Sequence, residues 1–300
     1  NLLNEWMDPR LISTRAFGAA SDEERERPRM WRYWRALPAK GRIGILFGSW
    51  YTDPIMHRVA GELKTAEFDH QIDEIVRFEK MLAHEGVVLL KFWFHLSKDK
   101  QKKRLEQLEK DPKTRWRVTE QDWQHFKQYD KFVSVSERVL RETSTAEAPW
   151  IVVEGEDANY RSLTVGKLLL KEMRKGLEVQ AKERAELDAA PLLPPIDNLQ
   201  LLHTLQLDQE YSKKDYNEEL EKLQGRLNLL SRHPKFNEHS VIAVFEGNDA
   251  AGKGGSIRRI TSALDARQFA IIPVAAPTED ERLQPYLWRF WRHIPRKGRI

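Results

Sequence analysis

Residues 247 to 255 read GNDAAGKGG and directly follow the apolar run Val241-Ile242-Ala243-Val244-Phe245. The order is strand, glycine loop, helix, since Ser256 to Leu264 predicts a helix. Such a turn aims successive backbone N–H groups and the positive end of the next helix at one point, where a polyanion can sit. Gly247 and Gly252 let the backbone turn and approach. Asn248, Ala250, Ala251, Gly254, Gly255 and Ser256 extend the row of donors, and Lys253 adds a mobile cation for bridging phosphates. The stretch departs from G-x4-G-K-[ST] at its last position, where Gly254 replaces the hydroxyl that usually holds magnesium. An ordinary glycine-rich turn between strand and helix is the competing reading.

The chain also repeats itself. WRYWRALPAKGRI at 31–43 returns as WRFWRHIPRKGRI at 288–300, with nine of thirteen positions identical. Upstream, Ser21-Asp22-Glu23-Glu24-Arg25 lies over Thr278-Glu279-Asp280-Glu281-Arg282 in the same register. The separation is that of a whole domain rather than of a solenoid unit. In this register the first copy's phosphate loop falls before Asn1, and the second copy reaches Ile300 ahead of its later strands. The chain therefore reads as a window on a longer two-copy protein.

Composition sets looser bounds. A chain of 300 residues with 40% hydrophobic content can bury a sizeable core. There is no Cys, which excludes disulfides and thiolate metal sites. No H-E-x-x-H or comparable cluster appears among nine His, so a histidine metal site is not expected. No run of eighteen apolar residues and no signal-like segment occurs, which predicts a cytoplasmic protein with no membrane partner. A net charge of +4, with fifty Lys plus Arg and ten Trp, suits a polyanion. Charge alone does not choose among nucleic acid, nucleotide and polyphosphate.

Strands are predicted at Ile43–Phe47, Gly86–Phe94 and Trp150–Glu154, and helices at 69–84, 98–110, 119–141 and 160–176. This alternation implies an α/β fold whose parallel sheet is covered on both faces. Gly176 to Asn198, ending in proline-rich AAPLLPPID, marks the join between copies. Lys213 to Arg232 predicts a helix with Leu220, Leu223, Leu227 and Leu230 on one face.

EGNDAAGKGGSIRRITSAL and VAAPTEDERLQPYLWRFWRHIPRKGRI closely resemble the second family of polyphosphate kinases. That family's loop carries an aspartate two residues after the first glycine and a glycine after the lysine, which Asp249 and Gly254 match. Asn248 stands where many members have arginine. GVVLLKFWFHLSKDKQKKRLEQLEKDPKTRWRVTEQDW resembles the family's strand and helical lid, and APWIVVEGED its last strand. The resemblance implies a P-loop kinase-like three-layer sandwich with a parallel sheet and helical lid, in two tandem copies, both incomplete here. The copies are assigned to 1–178, without its phosphate loop, and 201–300, the N-terminal part of the catalytic copy, with a linker at 179–200. The family's FDRSWY motif supplies a magnesium-binding aspartate. Here the first copy reads Leu46-Phe47-Gly48-Ser49-Trp50-Tyr51, with Phe47 in the aspartate's place and Gly48 in the arginine's. Loss of that hard oxygen ligand implies an inactive copy. Asp53 could substitute, although an aspartate before Pro54 is also a turn or cap residue.

By this resemblance the protein moves a phosphoryl group from inorganic polyphosphate to a nucleoside monophosphate, AMP to ADP, with Mg²⁺. Asp249 and Lys253 are the expected catalytic residues, Asp249 as metal ligand or acceptor guide, with Arg259 added to the phosphate contacts. Arg258, Arg289, Arg292, Lys102, Arg104 and Arg115 are candidates for a polyphosphate channel, as are Lys103, Lys113 and Arg117. The competing reading is a solvated charged face for the lid residues and, around Arg289 and Arg292, Trp288 and Trp291 as core anchors. Polyphosphate and AMP or ADP are the expected partners, nucleic acid is disfavoured, and a homo-oligomer is compatible with the sequence. An ATP-dependent P-loop nucleotide kinase and a non-catalytic polyanion or nucleic-acid binder are the alternatives.

Overall fold

Ile43–Phe47 forms a strand, β2, and pairs in parallel with a strand not anticipated from sequence, β1 at Ile12–Ala16. The register places Ile12 opposite Ile43 and Ala16 opposite Phe47. Ile12-Ser13-Thr14-Arg15-Ala16 is short and half polar, so it lacks the apolar run that marks a buried strand. A second parallel pair joins β3, Lys91–His95, to β4, Trp150–Glu154. In this computed structural model, which describes residues 7–186 and 209–300 with the side chains of 177–186 excepted, these are separate two-stranded ladders.

The chain divides into two units: Asn1–Gly18 with Ala36–Asp188, and Ala19–Arg35 with Ala189–Ile300. In the first, the helix Thr65–His84 buries Phe68, Ile72, Ile75, Phe78 and Leu82 along one stripe. Gly86, with φ 80°, ends it, and the Val87 N–H returns to the Leu82 carbonyl at 3.0 Å. Residues 86–90 are therefore a connector, which is why β3 starts later than predicted. The helix Lys98–Lys110 matches its prediction. The predicted 119–141 helix is two helices, Glu120–Lys127 and Tyr129–Thr143, meeting at Gln128. Ala158–Glu186 extends beyond the predicted 160–176.

The second unit takes in Ala19–Arg35 as well as the residues from Ala189. Aromatic packing supplies the reason: Trp34 and Trp291, equivalent positions of the repeat, stack with centroids 4.8 Å apart and planes at 22°. The Lys297 N–H donates to the Glu26 carbonyl at 2.9 Å, and the Arg27 guanidinium donates to the Ile294 carbonyl. The repeated stretch folds the same way twice. Ser21 and Glu24 form a capping box on the Asp22–Arg25 turn, and Thr278 and Glu281 do so on Glu279–Arg282. One helical turn follows each, Trp31–Trp34 and Trp288–Trp291. The linker segment from residue 187 onward lies outside the described residues.

Lys213–Ser231 is a helix capped by Ser212, but Leu223 and Leu230 of its apolar face are exposed. Its polar residues make the recorded bonds to the Lys253–Thr261 helix and its C-terminal turn: Gln224 Nε2 reaches the Arg259 carbonyl at 2.7 Å and Asn228 Nδ2 the Ala263 carbonyl at 2.7 Å. Val241–Phe245 does not form a strand among the described residues. Its neighbour, Arg299–Ile300, contributes a single parallel bridge to Ser240, with Val241 N–H on the Arg299 carbonyl at 3.0 Å. On its other side Ile300 exchanges bonds with Gln268 and Ala270 at 2.9 and 3.1 Å.

Candidate phosphate-binding site

The apolar run delivers the chain into the loop at Gly247, φ 146°, and two more residues then take left-handed conformations, Ala250 at φ 60° and Gly252 at φ 85°. For Ala250 this costs about 1–2 kcal/mol, a strain that clusters at functional sites. Asp249 Oδ1 accepts from the Ala250 N–H at 2.9 Å, which helps hold the turn. Gly252 is the N-cap of the Lys253–Thr261 helix and offers no side-chain cap, so the first-turn N–H groups lack an internal acceptor. Lys253 Nζ folds back to donate to the Gly247 and Asn248 carbonyls at 2.7 and 2.6 Å. Residues 247–252 are exposed. The structure thus brings Gly247, Asn248, Asp249, Ala250, Ala251, Gly252 and Lys253 into one open turn with a cation at its centre.

Gly254, Gly255 and Ser256 form the first turn of the helix, and Ser256 Oγ bonds back to the Gly252 carbonyl at 3.3 Å. Gly255 has a steric role: a Cβ there would come within 3.0 Å of Arg259 Nη1. Arg259 also bonds Tyr216 through Nε and lies over its ring at 5.7 Å. Arg258, one residue earlier, is exposed.

The turn after β2, a different part of the repeat, is built differently. Phe47 ends the strand 60% exposed, and Gly48 follows at φ 63°. A Cβ on Gly48 would meet the Phe17 carbonyl oxygen at 2.8 Å, so an arginine cannot occupy this position without moving the backbone. Asp53 lies in the first turn of the Thr52–Ala60 helix, where a carboxylate complements the helix dipole. At the C-terminal ends of β3 and β4 a cleft of about 340 Å³ is lined by Phe94, His95, Leu96, Arg104, Gly155 and Arg161. Arg104 is therefore brought to the strand ends; Lys102 and Arg115, both exposed, are outside its lining.

Sequence reasoning missed a buried polar cluster in this first unit. Glu79, 1% exposed, accepts from Trp50 Nε1 at 2.9 Å and from the Tyr51 hydroxyl at 2.6 Å through one oxygen. Its other oxygen takes Lys91 Nζ at 2.7 Å, and Lys91 also donates to Tyr51 Oη at 3.0 Å and the Thr143 carbonyl at 2.7 Å. Burial pushes the Lys91 ammonium pKa down, opposed by Glu79. Burial first, then the Glu79 charge, drives the Tyr51 hydroxyl well above its ordinary value. The signal was present: Glu79 interrupts an apolar helix stripe, and Lys91 interrupts the run Gly86 to Phe94.

The Arg289 side chain is 11% exposed, lies 3.6 Å from Glu281 and donates to the Ala275 carbonyl at 2.6 Å. Arg32, its equivalent in the repeat, lies 3.4 Å from Glu24, so the pair belongs to the repeated fold. Arg292 is exposed with its guanidinium 5.0 Å from the Trp288 ring centroid. Trp291 is buried, as a core anchor should be.

Among the described residues no group of three or more His, Cys, Asp or Glu is placed to hold a metal ion. Magnesium at phosphate sites commonly takes one or two carboxylates and completes its shell with phosphate oxygens and water, so the exposed carboxylate of Asp249 in the loop fits that ion. No helix among the described residues is long and apolar enough to cross a membrane.

The model of the polyphosphate kinase 2 family matches residues 2–182 and 210–300. The polyphosphate:AMP phosphotransferase of Pseudomonas aeruginosa is 55% identical over 294 residues, covering 98% of this chain and 59% of that protein. The enzyme of the same name from Pseudomonas syringae pv. tomato is 54% identical, covering 100% and 60%. The solved structure of a putative polyphosphate kinase 2 from Pseudomonas aeruginosa superposes with a TM-score of 0.83 at 51% identity, covering 99% of this chain and 57% of that one. The chain thus spans about three-fifths of the length of the curated relatives it matches.

Proposed function

Because the chain belongs to the polyphosphate kinase 2 family, we propose that the protein transfers the terminal phosphoryl group of inorganic polyphosphate to AMP, giving ADP. We place the transferred group at the 247–255 loop. The observation that carries this is Lys253, whose ammonium is parked on the Gly247 and Asn248 carbonyls inside an exposed, left-handed glycine turn. Two relatives named polyphosphate:AMP phosphotransferase, at 54–55% identity, support the choice of donor and acceptor.

In this reading the uncapped N–H groups of the loop and first helical turn bind phosphate oxygens, and Lys253 leaves its two carbonyls to follow the moving charge. An oxygen of the AMP phosphate attacks the terminal phosphorus, the bond to the bridging oxygen breaks, and the polyphosphate leaves one unit shorter. Catalysis here is positioning and charge neutralisation. Mg²⁺, held by Asp249 and the phosphates, would supply neutralisation of the oxygens that gain charge. The chain carries two copies in this reading, and only the second is catalytic, since Phe47 and Gly48 replace the aspartate and arginine of the family's metal-binding motif. The first copy's cleft at Arg104 and Arg161 contacts polyphosphate without transfer.

The test is ADP formation from AMP by the full protein with polyphosphate, with ATP, or with no donor. Polyphosphate-dependent ADP that disappears in Lys253→Ala supports the proposal. Turnover with ATP alone, or none with either donor, removes it.

A further inference from the structure

Away from the loop, the second unit holds a cleft of about 520 Å³ lined by Arg232, Asp265, Arg267, Gln268 and Arg299. Arg299 flanks Ser240, at the start of the run that ends at Gly247. The cleft is thus separated from the loop by roughly 20 Å of chain at about 3.3 Å per residue.

Three guanidiniums face one carboxylate, and that carboxylate is committed. Arg267 bonds Asp265 through Nε at 3.0 Å and Nη2 at 2.7 Å, and holds its carboxyl well below the usual range. Arg299 Nη1 donates to the Arg267 carbonyl at 2.5 Å. The repeat shows what this arrangement does by itself. Arg10 bonds Asp8 at 3.0 and 2.6 Å, and Arg42 donates to the Arg10 carbonyl at 2.6 Å, at the same register positions. The Asp-x-Arg brace is therefore architecture that both units need.

Two groups remain that the brace does not explain. No hydrogen bond to the described residues engages the Arg232 guanidinium, which is exposed at the rim. Gln268 is anchored by Nε2 on the Ser231 carbonyl at 2.9 Å, which fixes its amide, yet its Oε1 is buried with no hydrogen-bond partner. A buried acceptor left unpaired is costly and calls for a donor. Leu11 stands at the equivalent position of the first unit, so the brace forms without the amide.

We propose that this cleft is a second phosphate site, separate from the glycine loop, that takes a singly protonated terminal phosphate group. Its oxygens accept from Arg232 and the guanidinium edges of Arg267 and Arg299, and its P–OH donates to Gln268 Oε1. Such charge-assisted bonds suit phosphate better than a carboxylate, which has no hydroxyl to give when ionised. Inorganic phosphate, the end of a polyphosphate chain and the phosphate of a nucleotide share this chemistry.

Binding of inorganic phosphate, tripolyphosphate and AMP to the full protein, measured by calorimetry in a Lys253→Ala background, tests the proposal. At least one probe should still bind, and the tightest identifies the source. Arg232→Gln in that background should weaken it about tenfold or more. Gln268→Leu, which copies Leu11, should weaken it too and flatten the fall in affinity as pH rises through the second phosphate ionisation. No residual binding in Lys253→Ala, or affinities within twofold for both added variants, overturns it.

Discussion

The turn after β2 and the loop at 247–255 each follow an apolar run but are different parts of the repeat, and their polar groups are treated in opposite ways. In the first unit Trp50 and Tyr51 point into the protein and end on Glu79, which Lys91 neutralises. Every strong donor there is spent on another protein group. In the second unit the loop is open, its helix has no side-chain cap, and among the described residues Lys253 is satisfied only by carbonyls of its own turn. A sealed cluster stabilises, whereas an exposed one with provisional partners can exchange them for a ligand. The difference teaches that Trp50 and Tyr51 of the first unit serve as anchors of a core, which agrees with the proposal that places the chemistry at the loop of the second.

The largest effect expected from this contrast is in the sealed cluster. Lys91→Met removes the cation that faces the buried Glu79, which should cost about 3–5 kcal/mol of unfolding free energy. Replacing both partners, Glu79→Gln with Lys91→Met, should recover part of that loss, because the amide oxygen still accepts from Trp50 and Tyr51 and no charge is left to desolvate. Denaturant midpoints of the single and double variants check this. A single variant within 1 kcal/mol of the parent would make the cluster ornamental and dissolve the comparison.

The open loop should respond in rate rather than in stability. Lys253→Ala removes the cation proposed to follow the phosphoryl group and should lower turnover on the order of 10²-fold or more, with the melting temperature nearly unchanged. Asp249→Asn should act in the same direction while keeping the Ala250 turn, since an amide oxygen can still accept its N–H. Activity within a few-fold of the parent for either variant would contradict the placement of the reaction at this loop.

How much of this was legible in the sequence depends on whether a feature is local. The glycine loop, β2, β4 and the helix at 98–110 follow from residues adjacent in the chain, and the structure places them as predicted. The β1 strand was not legible, because Ser13, Thr14 and Arg15 carry no strand signal and pairing with β2 decides their state. The ladder expected at Val241–Phe245 is absent for the converse reason: an apolar run becomes a strand only where neighbours supply its bonds, and here Arg299 supplies one bridge. The Glu79–Lys91 pair needed two long-range coordinates that no spacing encodes. The ion pair of Arg289 was legible in the repeat, since Arg32 and Glu24 recur as Arg289 and Glu281 in the same register.

A smaller effect separates the two turns sterically. Gly48→Ala puts a side chain at φ 63° with its Cβ against the Phe17 carbonyl oxygen at 2.8 Å. The expected loss is about 1–3 kcal/mol. Gly254→Ala, in the first turn of the second unit's helix, places its Cβ in open space with nothing within 4 Å, and should leave stability unchanged or slightly raised. Thermal unfolding of the two variants reads the difference directly, and equal shifts would mean that the two turns are under the same constraint.

The smallest expected effect concerns the arginines of the repeated helical turn, and it tests donor identity. Arg289 is buried on Glu281 and the Ala275 carbonyl, whereas Arg292 keeps an exposed guanidinium above Trp288. Arg289→Gln should therefore lower stability and leave the Michaelis constants for AMP and polyphosphate in their original ratio. Arg292→Gln should barely move the melting temperature but raise the Michaelis constant for polyphosphate a few-fold relative to AMP. It should also flatten the salt dependence of polyphosphate binding, because one fewer cation releases one fewer counterion from a linear polyanion. If Arg292→Gln weakens AMP as much as polyphosphate, the guanidinium acts on the shared phosphate loop rather than on an extended chain. If it weakens neither, Arg292 only packs on Trp288, as Arg35 does on Trp31 at 4.6 Å, and the two arginines differ in burial without differing in function.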